Sequence, residues 1–135
     1  MAVISGHCLC GQASYTAEGD PVLSGVCHCR NCQRYTGSAF EAVIGFPAAA
    51  VQVQGELKTY RDTGDSGEAV FRRFCPNCGS GMIAEAVVLP GVILVLAGTL
   101  DDPAQFTPTM ELYCSSAQPW TQAGGDRTKF AKMPG

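Results

Sequence analysis

Eight cysteines in a chain of 135 residues, seven of them crowded into three short groups, constrain this fold more than any other feature. The groups are Cys8-x-Cys10, Cys27-x-Cys29-x-x-Cys32 and Cys75-x-x-Cys78, and Cys114 stands alone in "LYCSS". An even count in a secreted chain would suggest a disulfide framework, whereas clustered thiols in a reducing compartment more often bind metal. The start, "MAVISGHCLCG", lacks a basic region followed by an unbroken apolar run, so no secretory signal is read there and a cytoplasmic setting is expected. The most apolar segment, "VVLPGVILVLAG", is interrupted by Pro90 and Gly91 and is too short to span a bilayer. Metal is therefore the favoured reading of the cysteines.

Ligand arithmetic sharpens it. Zinc takes four ligands in a tetrahedron. "CPNCGSG" is a strong knuckle, with Pro76 shaping the turn and Gly79 free to take positive φ. In "CLCG" an extended chain sends both sulfurs the same way. Two plus two makes a closed site from Cys8, Cys10, Cys75 and Cys78, which ties the N-terminus to the middle of the chain. Cys27, Cys29 and Cys32 then hold a metal of their own, with an open fourth position of the kind catalytic zinc sites keep. Three thiolates make the metal a modest Lewis acid, better suited to accepting a substrate thiolate than to generating hydroxide. Two alternatives stay open on spacing alone. Cys29 and Cys32 with Cys75 and Cys78 make an ordinary zinc ribbon, and Cys114 or His28 would close the triplet.

The rest of the chain reads as short strands between Gly and Pro punctuation. "QASYTAEG", "VLSGV", "AFEAVIGF", "VQVQG", "LKTYRD", "EAVFRRF", "GVILVLAGTL" and "MELYC" are the strand candidates. In "AFEAVIGF", Phe40, Ala42 and Ile44 share one face, and Glu41, Val43 and Gly45 the other. "RNCQRYTGS" suits one helical turn stopped by Gly37. No repeat or linker is present, so residues 1–123 are read as one domain and 124–135 as a polar, frayed tail. Hydrophobic residues at 46% suit a packed core, and a net charge of −3 offers no basic footprint for nucleic acid.

"GHCLCG", "CHCRNCQRYTGS", "FCPNCGSGM", "LAGTLDDP" and the final "PW" together resemble the glutathione-dependent formaldehyde-activating enzyme family, which also includes centromere protein V. The likeness runs from Gly6 to Trp120. It implies a mostly β chain with a β-tent fold of small antiparallel sheets organised around zinc. It also implies two zincs per chain: a structural one on Cys8, Cys10, Cys75 and Cys78, and a second on the catalytic triplet Cys27, Cys29 and Cys32. The implied activity is that of a carbon–sulfur lyase joining a glutathione-like thiol to formaldehyde. The partners are then a small thiol and an aldehyde, with no nucleic acid or membrane. The competing class is a non-enzymatic zinc module that serves a protein partner.

Other residues carry weaker signals. Arg30 and Arg34 flank the triplet and are candidate contacts for a substrate carboxylate, against the plainer role of offsetting thiolate charge. Arg72 and Arg73 are less well placed. His28, between two ligands, is expected to turn away from the metal, and His7 beside Cys8 to lie at the surface. Tyr35 and Phe40 are expected in the core, and Trp120 to staple the C-terminal segment.

Overall fold

Alternation decides how these strands assemble. The computed structural model describes residues 3–121 and 127–134. Strands β1 (Val3–His7), β2 (Ser14–Glu18) and β5 (Val51–Gln54) form an antiparallel three-stranded sheet with β2 in the middle. The larger sheet has eight strands. In spatial order they are β11 (Thr128–Lys129), β10 (Met110–Leu112), β3 (Leu23–Cys27), β4 (Glu41–Pro47), β9 (Val92–Leu96), β8 (Gly81–Ala86), β7 (Ala69–Phe74) and β6 (Lys58–Thr63). Its pairings are antiparallel except that β10 runs parallel to both β3 and β11. The chain is mostly β, as expected.

One helix, α1 (Arg30–Thr36), follows β3 and ends at Gly37, whose φ of 67° is the left-handed conformation glycine takes without penalty. It is longer than the single turn expected. β1, β8 and β11 were not singled out in the sequence. The apolar run 91–100 is a strand only to Leu96, because Ala97–Thr99 tightens into a 3-10 turn in which the Thr99 hydroxyl donates to the Leu96 carbonyl at 2.7 Å.

β4 shows why both faces of the large sheet are apolar. Ile44 and Phe46 are 1% and 0% exposed and pack with Val95 and Ile83 against Ile4, Tyr15 and Ala17 of the small sheet. Each such side chain contributes ~1.5–3 kcal/mol by leaving water. Glu41 and Val43 point to the other face, where Leu23, Leu94 and Ala84 lie in register. β5 and β6, neighbours in the chain, belong to different sheets. Gly55 makes the switch at φ +91°, where a Cβ would sit 2.3 Å from the Gln12 carbonyl oxygen.

The large sheet curls. Met133 and Pro134 beyond β11, at one end of the strand order, line the same cavity as residues 63–66 at the β6–β7 turn, at the other end. The described part of the tail is thus not frayed: the N–H groups of Tyr113, Cys114 and Ser115 donate to the carbonyls of Lys132, Phe130 and Ala131. The expected start of the tail at Gly124 lies outside the described residues. Trp120, expected to staple the C-terminal segment, is 69% exposed. Among the described residues no helix is long and apolar enough to cross a membrane.

Candidate metal centres

The four sulfurs of Cys8, Cys10, Cys75 and Cys78 all lie within 4.8 Å of one another. Cys8 Sγ is 3.6 Å from Cys10 Sγ, and Cys10 Sγ is 3.8 Å from Cys75 Sγ. Sulfurs at ~2.3 Å from a tetrahedral zinc are about 3.8 Å apart, so this set fits the ion. The knuckle is held from outside as well as within. Ala13 N–H donates to Cys8 Sγ at 3.3 Å, Leu9 N–H donates to Ser80 Oγ at 3.0 Å, and Ser80 Oγ is 3.2 Å from Cys78 Sγ. The Ser80 hydroxyl, joined by the backbone N–H groups of Ser80 and Cys10, draws the Cys78 thiol down to about 5. Cys8 and Cys75 are part of the core between the sheets.

Cys27, Cys29 and Cys32 form a second set, again within 4.8 Å of one another. Cys27 ends β3, and Cys29 is the N-cap of α1, its sulfur accepting the Cys32 N–H at 3.3 Å. Hydrogen bonds from the Cys27 and Cys32 thiols hold Cys29 far below the usual thiol range, and the same bonds raise the other two. Without an ion the cluster favours one thiolate. A bound dication would let all three ionise, which is the donor chemistry of a zinc site.

Neither proposed closing ligand joins this set. His28 is 2% exposed and turned away, its Nε2 2.8 Å from Glu111 Oε1, with Phe40 edge-on to the ring. Cys114 gathers with His28 and Glu111 instead. The ribbon of Cys29, Cys32, Cys75 and Cys78 is not formed either, since its two halves fall in different sets. His7 sits at the surface beside Asp101.

The cation at the triplet is Arg72, from β7. Its Nη2 lies 3.8 Å from Cys32 Sγ, its Nη1 donates to Glu41 Oε2 at 2.9 Å, and its Nε donates to Asp62 Oδ2 at 3.0 Å. Its guanidinium lies over the Tyr35 ring, 5.1 Å from the centroid. Asn31 Nδ2 bonds Asp62 and the Thr63 carbonyl, which links α1 to the same network. Burial works against the Arg72 charge, but Cys32, Glu41 and Asp62 more than offset it. Burial also raises the Glu41 carboxyl, against the pull of Arg72. Sequence reading ranked Arg30 and Arg34 above Arg72. Arg30 borders the cavity with an exposed side chain that donates to Gln33, while Arg34 is not in its lining. Glu41 was readable only as the polar member of a strand face.

All three cysteines of the triplet open onto a cavity of about 600 Å³ on the inner face of the curled sheet, and no cysteine of the four-sulfur set does. The two sulfur sets thus differ in setting, one packed into the core between the sheets and the other at a cavity wall.

Among curated proteins no relative matches this chain. A crystal structure of a Rhodobacter sphaeroides protein, a structural genomics target, shares its fold with a TM-score of 0.59 at 19% identity, covering 74% of this chain and 92% of that one. The family model described as glutathione-dependent formaldehyde-activating enzyme matches residues 3–116, which include both sulfur sets, and the chain belongs to that family.

Proposed function

We propose that this protein is a zinc-dependent carbon–sulfur lyase that joins a thiol to a small aldehyde such as formaldehyde, or splits their S-hydroxymethyl adduct. Two zincs per chain serve it, a structural one on Cys8, Cys10, Cys75 and Cys78 and a reacting one on Cys27, Cys29 and Cys32. The observation that supports this reading is that the triplet lines a cavity and the four-sulfur set does not. A cytoplasmic setting, which keeps thiolates reduced, belongs to the same reading.

A zinc ion held by Cys27, Cys29 and Cys32 would supply the positive charge that keeps a thiol ionised and polarises a carbonyl. The chain does the rest. Arg72 offsets the charge gathered on the sulfurs, and the cavity holds the two reactants in contact. The thiol sulfur supplies the electron pair of the new carbon–sulfur bond. The carbonyl π pair moves to oxygen, which takes up the proton the thiol released. Glu41, at the cavity wall with its carboxyl raised by burial, is placed to hold that proton in transit.

The test is zinc-loaded protein with a thiol and isotopically labelled formaldehyde, followed by NMR for the S-hydroxymethyl carbon. Faster adduct formation than in buffer is expected, and Cys32→Ser abolishes it while the circular dichroism of the fold persists. A Cys32→Ser protein that keeps full turnover would instead point to the non-enzymatic zinc module.

A further inference from the structure

The cavity walls say what kind of thiol fits. Leu23, Val43, Leu94, Met110, Leu112 and Met133 come from four strands and the tail, and all line the space next to the triplet. At about 600 Å³ it has the size of a small-molecule site. Its charges are the wrong ones for a tripeptide with two carboxylates. Arg30 and Arg72 are the only cations of the lining among the described residues, set against Glu41, Asp65 and Glu68. Arg72 is already spent on Glu41 and Asp62, and Arg30 donates to Gln33. A substrate carboxylate carried past Arg30 at the exposed rim into the apolar depth would lose water and meet only the already paired Arg72, which is costly.

We infer that the thiol this chain takes is an uncharged one with an apolar body, not glutathione. The inference rests on the reading of the triplet as the reacting centre, and the chemistry is unchanged: one carbon–sulfur bond forms, one proton moves from sulfur to oxygen, and nothing is oxidised or reduced.

Anaerobic calorimetry of the zinc-loaded protein with ethanethiol, butanethiol, hexanethiol and glutathione tests it. Affinity is expected to rise about fourfold per added methylene as the body enters the cavity. Hexanethiol should outbind glutathione at least about tenfold. Met133→Glu, at a rim position 39% exposed, should flatten the series while leaving ethanethiol unchanged. A flat series in the unsubstituted protein, or glutathione binding as tightly as hexanethiol, overturns the apolar occupant and leaves the carbon–sulfur reaction standing. So does binding that vanishes as protein concentration rises, which would put a second copy of the chain over this face. A steep series with no labelled adduct from any thiol supports the apolar occupant and removes the reaction.

Discussion

Cys8 and Cys75, each 1% exposed, sit in the core between the two sheets, whereas Cys27 and Cys29 are half-buried at the wall of a cavity on the opposite face of the larger sheet. The ligand atom is the same in both places, and the surroundings differ. The first set has four sulfurs at tetrahedral spacing, neighbours that donate N–H and O–H groups to them, and no place in the lining of that cavity. The second has three sulfurs, a buried arginine alongside and space beyond. The two sulfur sets thus differ in the number of sulfurs and in the face of the sheet they occupy, not in the kind of donor atom.

That contrast is broken most forcefully at the closed set. Cys75→Ser removes a ligand from the core. Structural zinc in small peptides is worth ~10–16 kcal/mol of apparent binding free energy, comparable with the whole stability of a domain, ~5–15 kcal/mol. Thermal melting should therefore lose its cooperative transition, with zinc content down by one; a normal melt would make the closed site dispensable.

Next comes the arginine that distinguishes the open set. Arg72→Met strands the buried Glu41 carboxylate and should cost about 3–5 kcal/mol in urea unfolding, since one half of a buried pair is left alone. Glu41→Gln in the same protein should recover part of the loss. An Arg72→Met penalty near zero would show that the network does not hold the triplet's wall.

Tyr15 sharpens the core side. Burial pushes its hydroxyl up to about 12, despite a hydrogen bond with Thr99 and with Asp101 adding to the rise. The folded state therefore holds this proton more tightly than the unfolded chain does. The stability it confers is complete below the ordinary value of 10.0 and is lost as pH rises through about 12. Tyr15→Phe should remove that part of the alkaline decline. An identical decline in both proteins would assign it elsewhere.

The smallest effect is expected between the closed set's own ligands. Leu9 is 87% exposed, so Leu9→Ala should shift stability by no more than about 0.5 kcal/mol, and a larger loss would mean the turn needs that side chain.

What the sequence made legible follows from the range of each interaction. Cys75-x-x-Cys78 and Cys8-x-Cys10 act over a few residues, so their geometry is written in spacing, and so is the Gly37 stop of the helix. The alternation of β4 was legible for the same reason. Arg72 was not. It reaches Cys32 because β7, β8, β9 and β4 lie side by side in register, and that order links residues 40 apart in the chain. Arg34, only two residues from Cys32, misses the cavity because a helix turns it outward to solvent. β11 has two residues and was hidden in a polar tail, where only its pairing with β10 reveals it.

Zinc per chain on anaerobically purified protein tests the division into closed and open centres most directly, with Cys114→Ala measured beside it. About two zincs are expected in both proteins, because Cys114 gathers with His28 and Glu111 and not with the triplet. One zinc in both, or a drop from two to one without Cys114, would contradict it.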